Sequence, residues 1–325
     1  MERTKQGKGN EVMQVGRTRA RLGTRFLRAV RNHWELYLLF LPVAAWYIIF
    51  CYVPMGGIVI AFKDFKILRG IWESPWVGLD NFRRFIASSA FRATLGNTII
   101  ISLMNLLIVF PAPIIFALLL NEVRSKFGKR ITQTISYLPH FISWTIAGGL
   151  FYMLLSPSTG VVNDIIRMFG GQAVNFMGES KYFRWIVVIS SIWKGLGWGA
   201  IVYLAAISGV DEELYEAAAI DGAKRFRRIW NITLPSIANV VVIMLILQVG
   251  SILNVNFDQI FVMINDTVLS VGETIEYYIY RVGLYSTNNY SLAAAVGIFK
   301  SIVGFILIMI TNAIVKRISE GEGIW

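Results

Sequence analysis

Charge is what this sequence has least of. Of its 325 residues only 16% are charged, against 55% hydrophobic, whereas a soluble globular domain carries about a quarter charged residues. That shortage excludes an ordinary water-soluble fold and places the chain in a membrane. Cysteine and histidine are nearly missing as well: Cys51 is the one thiol, and His33 and His140 are the two imidazoles. A disulfide framework is thereby excluded, and neither histidine has neighbours at metal-ligand spacing. The same inventory supplies no nucleophile–base pair, which argues against an enzyme. Phosphate loops are missing too. Gly128-Lys129 lacks the earlier glycine, Val123 standing in its place, and Arg130 follows where Ser or Thr is required. The glycines at 195, 197 and 199 lack the strand before and the helix start after that a nucleotide loop needs, so they read as close helix packing.

What charge there is leans positive, with 31 Lys and Arg against 20 Asp and Glu. Nine of the basic residues (Arg3, Lys5, Lys8, Arg17, Arg19, Arg21, Arg25, Arg28 and Arg31) crowd into the first thirty-five positions. Beside a bilayer such a tail reads as topology setting and attraction to anionic headgroups, and not as nucleic-acid binding. It is too long for the leader of a cleaved signal, and the apolar run behind it is of spanning length without a small-residue cleavage site.

A bilayer-crossing helix needs about twenty mostly apolar residues. Six stretches qualify, and they predict an all-α, polytopic membrane protein with spans near 37–54, 95–120, 132–155, 185–207, 237–255 and 291–315. Between the fifth and sixth, the segment to Asn289 reads as an outside loop with a short helix around Glu273–Tyr280. Pro54 falls at the outer end of the first span, and Pro111 and Pro113 interrupt the second, which neighbouring helices can accommodate. With the tail inside, the cytoplasmic segments hold nineteen Lys and Arg and the outer ones ten, leaving Lys194 and Lys300 within or near spans. Both termini are therefore expected in the cytosol.

The organising stretch is polar. Asp211, Glu212 and Glu213 open a short acidic helix, where carboxylates suit the unpaired N–H groups and the helix dipole. Gly222 then supplies a sharp turn, a second short helix carries Lys224, Arg225, Arg227 and Arg228, and Pro235 is expected to close the unit. Ala217, Ala218 and Ala219 give the first helix a small face that another protein can approach closely.

Glu216-Ala217-Ala218, Gly222, Ile232 and Leu234-Pro235 stand at the spacing of the EAA loop, and the chain resembles the permease subunits of binding-protein-dependent ABC importers. It departs at Asp211, where many relatives have proline. The phrase Val77-Gly78-Leu79-Asp80-Asn81-Phe82, the run Tyr137-Leu138-Pro139-His140 and the turn Ser156–Asn163 with its amphipathic sequel (Ile165, Ile166, Phe169) extend the likeness over about 35–320, toward permeases that import carbohydrates. The resemblance implies the six-helix type I permease architecture over 37–320, with a core of about 93–315. A basic tail over 1–36 and a short tail over 321–325 flank it. The loop at 208–236 is then the coupling element, with Glu216, Ala217, Ala218, Asp221, Gly222, Leu234 and Pro235 as its site.

The implied partners are a second, similar permease, two ATPase subunits, and an extracellular solute-binding protein, lipoprotein or periplasmic. A sugar or oligosaccharide is the solute and a bacterial cell membrane the location. No cofactor is expected on this chain; ATP and magnesium belong to the ATPases. A sugar path needs hydrogen-bonding groups and aromatic faces, for which Trp144, Tyr152, Trp193, Trp198, Asn254, Asn256, Asp258 and Gln259 are the candidates, although aromatics near span ends also anchor and membrane Asn also glues helices. Lys194 and Lys300, ionisable residues in or near spans, are functional candidates, which otherwise snorkel or pair with an acid across a subunit interface. Two other readings stand beside this one: the same architecture carrying another polar solute (a polyamine, amino acid or anion), or an ion-coupled secondary transporter. The latter would show inverted repeats and helices broken at the midplane, and no repeat links 37–155 with 185–315.

Overall fold

The computed structural model describes residues 32–318, with side chains to 313; the tail at 1–31 and the one at 321–325, with Lys316 and Arg317 as side chains, lie outside the described residues. Two units divide at Gly57 and Ile58. Apart from a single bridge between Lys63 and Trp76, the described residues form helices and turns. The main helices are α1 (Trp34–Phe62), α2 (Ser89–Asn121), α3 (Lys126–Tyr137), α4 (Trp144–Leu154), α5 (Ser180–Ser208), α6 (Glu212–Ile220), α7 (Arg225–Ser236), α8 (Ala238–Gly250), α9 (Phe257–Met263), α10 (Ile275–Tyr280) and α11 (Tyr290–Ile318).

Four of these, α1, α2, α5 and α11, are each long and apolar enough to cross a bilayer, and α7 with α8 makes a fifth candidate bent by 63°. The third expected span is not continuous. Pro139, which has no N–H to donate, sits in a 3₁₀ turn at Leu138–Phe141, and Ser143 then starts α4 afresh by accepting from the Ile146 N–H. The fifth expected span is also shorter: α8 stops at Gly250, a non-helical stretch follows, and α9 begins at Asn256, whose side chain accepts from the Gln259 N–H at 3.1 Å.

Proline shapes the long helices through one repeated device. A π-helical turn occupies Ile48–Tyr52 before Pro54, Asn105–Val109 before Pro111 and Ile229–Thr233 before Pro235. Widening that turn moves the carbonyl four residues back away from the proline ring, where it would otherwise clash. Two expectations are corrected by this. Pro54 does not mark the end of the first helix, which continues as 3₁₀ turns to Phe62. Nor does Pro235 close the loop: α7 runs through it, and the bend falls at Ile237.

The segment after α9 holds the expected short helix, as α10, and packs against the other helices, with Val268, Ile275, Tyr278 and Val282 buried. Thr98 Oγ1 accepts from the Ile275 N–H at 2.9 Å, Asn97 Nδ2 donates to the Ser270 and Glu273 carbonyls, and Arg184 donates to Asn97 and to Val271. Lys300 on α11 pairs with Glu276 on α10, and Arg281 with Glu273 at 2.5 Å. Close approach elsewhere rests on glycine: a Cβ at Gly197 of α5 would lie 2.3 Å from the Ser136 carbonyl oxygen of α3, so the two backbones touch.

Candidate functional site

Two places concentrate chemistry: the 208–236 loop and the middle of α5. In the loop, Asp211 caps α6 by accepting from the Glu213 N–H at 3.0 Å. Glu212 and Glu213 add negative charge to the first turn. At the other end Gly222 takes φ +74°. Its N–H donates to the Ala219 carbonyl at 3.1 Å, and the Ala223 N–H reaches back to Ala218 at 2.8 Å. This pair of bonds ends a helix while leaving few carbonyls unpaired, and the left-handed residue it requires is best served by glycine. Asp221 is the last residue before that turn.

The loop stands as one piece because its two arms are tied. Tyr215 of α6 and Thr233 of α7 share a hydrogen bond of 3.0 Å between hydroxyls, Thr233 being buried. Arg225 approaches Glu122 in the turn between α2 and α3 at 3.8 Å. A cleft of about 580 Å³ opens beside α6 and includes Glu122, Tyr215, Glu216, Ala219 and Arg228. Glu216 and Ala217 are exposed and Ala218 is half-buried. Leu234 is half-buried and Pro235 exposed on the second arm, apart from the alanine face. The short helix is thus capped at both ends and tied to its return arm.

The middle of α5 lies against the break between α3 and α4. Lys194 donates its ammonium to the carbonyls of His140 (2.9 Å), Pro139 (3.3 Å) and Ile142, and lies 5.4 Å from the Trp144 ring centroid. The carbonyls released by the break between α3 and α4 are thus gathered by one cation, which neither snorkels nor pairs with an acid. His140 stacks on Trp198 at 4.4 Å, and Trp193 meets Phe151 edge-on at 5.7 Å. One turn earlier on α5, Gln259 of α9 is 1% exposed. Its amide donates to Val187 O (2.7 Å) and to the Ser190 and Ser191 hydroxyls. Gln259 therefore binds α9 to α5 and has no polar atom to spare. Asn256 is the cap of α9, while Asn254 and Asp258 are exposed at the break.

Tyr152 is elsewhere. Its hydroxyl donates to Met263 O at 2.9 Å and accepts from Asn265, in a recess of about 510 Å³ at the far end of the helices from the loop, beside Asn175, Asp266 and Thr267. Sequence reasoning missed the Tyr215–Thr233 tie, the role of Lys194 and the fact that the acid paired with Lys300 is Glu276 of this same chain. The visible signal for the last two was a lysine inside an apolar run; nothing in spacing or composition marked the first.

An all-α architecture with several helices long and apolar enough to cross a bilayer fits the membrane component of a transport system. The chain belongs to the binding-protein-dependent transport system inner membrane components, whose family model matches residues 109–320. It is 44% identical to Protein LplB of Bacillus subtilis over 93% of this chain and 95% of that protein. It is also 44% identical to the polygalacturonan/rhamnogalacturonan transport system permease protein YteP of the same organism, over 89% and 90%. Among solved structures it is similar to a chain of a bacterial alginate ABC transporter in complex with an alginate pentasaccharide-bound periplasmic protein. The TM-score is 0.84 at 39% identity, covering 92% of this chain and all of that one.

Proposed function

We propose that this chain is one membrane subunit of a bacterial ABC importer for an oligosaccharide, transmitting the work of separate ATPases to a solute path it shares with a second permease. The observation that carries the reading is the 208–236 loop, a doubly capped helix with an open alanine face and a hydroxyl tie to its return arm. Glu216, Ala217, Ala218, Asp221 and Gly222 make the docking element, and Leu234 with Pro235 connects it to the bend at Ile237. The membrane domain spans 37–320, with α3 and α4 as a broken third span and α8 and α9 as a broken fifth, giving six. Tails at 1–36 and 321–325 and the loop itself lie in the cytosol, where the excess of Lys and Arg belongs. The chain binds no cofactor; ATP and magnesium are used by the ATPase dimer.

In mechanism, closure of the ATPases on ATP pushes α6. The push passes through Thr233 and Ile237 into α8, and the helices rock about their breaks between an inward-open and an outward-open state. Lys194 holds the carbonyls of the α3–α4 break together in both. The solute-binding protein delivers sugar to the outward-open state. Asn254, Asn256 and Asp258 at the second break offer hydroxyl partners, with Trp144, Trp193 and Trp198 on the neighbouring break; Tyr152 belongs to the outer recess. The relatives support an oligosaccharide as cargo, since the permease YteP and the alginate transporter are named for polysaccharide import. Helix breaks at mid-depth also occur in ion-coupled transporters, but such proteins have no use for a docking loop. The test is reconstitution: this chain, its permease partner and an ATPase subunit should co-purify and import sugar only with ATP. Ion-driven uptake by this chain alone would refute the reading.

A further inference from the structure

The richest feature left without a role is an aromatic file on the same face as the α8–α9 break. Tyr285, just before α11, stacks on Tyr280 of α10 with centroids 6.2 Å apart and planes at 20°. Tyr280 meets Phe261 at 5.1 Å and Phe257 at 5.6 Å, and those two rings of α9 stack on each other at 5.4 Å. Tyr285 is 73% exposed and Phe261 43%, while Phe257 and Tyr280 are half-buried. The file leads from the end of the helices away from the docking loop to the break, where exposed Asp258 follows Phe257 directly and Asn254 and Asn256 precede it.

That mixture decides what the face is for. Rings alone would suit lipid, but an exposed acidic side chain on the same turn of α9 as Phe257 and Phe261 is costly against hydrocarbon. A second permease packed flat over it would strip water from the same carboxylate. An oligosaccharide suits both halves: its C–H faces stack on aromatic rings, and its hydroxyls donate to Asp258 and pair with the asparagine amides.

Resting on the oligosaccharide reading above, we propose that Tyr285, Tyr280, Phe261 and Phe257 form a rail along which the sugar chain passes, by its apolar ring faces, from the outer mouth to the polar break. Stacking tolerates many sugars because it reads the ring face and not the hydroxyl pattern, so the rail conducts a chain while the break selects it.

The experiment uses the complete transporter in vesicles with its binding protein, and alginate, galacturonan and arabinan pentasaccharides as probes. Tyr280→Ala and Tyr285→Ala should each lower ATP-driven uptake about two- to tenfold, the weight of one aromatic contact. Tyr280→Phe and Tyr285→Phe should import as the wild type does, and all four should retain the second permease on purification. A Tyr285→Trp reporter should change its emission when sugar is delivered. Undiminished uptake in both alanine variants would overturn the rail. Loss of the second permease from them would make the face a subunit interface, and quenching of the tryptophan by brominated lipid without response to sugar would make it a lipid anchor; either overturns the proposal. If the wild type imports none of the three sugars, the oligosaccharide reading itself falls and the rail with it.

Discussion

Replacing Gly222 with valine isolates the coupling loop from everything else. A Cβ at this position would meet nothing within 4 Å, so crowding contributes no cost. What the substitution strikes is the backbone, held at φ +74°, a region where a side chain costs about 1–2 kcal/mol and a β-branched one more. Relieving that strain means giving up the turn and with it the Ala223 to Ala218 and Gly222 to Ala219 bonds, each worth about 0.5–1.5 kcal/mol net. Because α6 has only nine residues, it has little of its own stability to resist with. The docking conformation should therefore fall in population by roughly ten- to thirtyfold, 1.4 kcal/mol being a factor of ten. The assay is the ratio of sugar imported to ATP hydrolysed in vesicles: Gly222→Val should lose most uptake while remaining in the membrane. Gly222→Asn should lose much less, since asparagine tolerates the left-handed conformation. Wild-type coupling in the valine variant, or equal damage from asparagine and valine, would refute the reasoning.

Two more perturbations test other parts of the account. Glu216→Lys reverses the charge on the exposed docking helix and should weaken capture of the ATPase in a detergent pull-down, whereas unchanged recovery would remove Glu216 from the contact. Glu276→Gln should lower stability by about 1.5–3 kcal/mol by leaving the half-buried Lys300 ammonium without its charged partner, and adding Lys300→Met should restore much of it; equal stability of the two variants would show that the pair is not a coupled unit.

The local structure of the 208–236 loop was legible because its physics is local. An acidic first turn, an alanine face and a glycine stop at fixed offsets all act within one or two helical turns, and the structure has them where the spacing puts them. The spans were legible as apolar runs for the same reason, and the four continuous ones match expectation to within a few residues at most ends. What could not be read depends on partners far away in the chain. The π turns before Pro54, Pro111 and Pro235 relieve ring clashes that apolar periodicity does not register. The break at Leu138–Phe141 persists because Lys194, more than fifty residues on, gathers its carbonyls. Gln259 looked like a solute contact from composition, yet Ser190 and Ser191 consume its amide. In the segment after α9, Glu273 pairs with Arg281 and Glu276 with Lys300 of α11, partners that spacing alone does not mark.

The central claim is that the 208–236 loop faces the cytosol and is covered there by an ATPase. With Cys51 replaced by serine and a single cysteine placed at Ala217, a membrane-impermeant maleimide should label inside-out vesicles and not right-side-out ones. Adding the ATPase subunit should block that labelling. Labelling from the outer side, or labelling indifferent to the ATPase, would contradict the account.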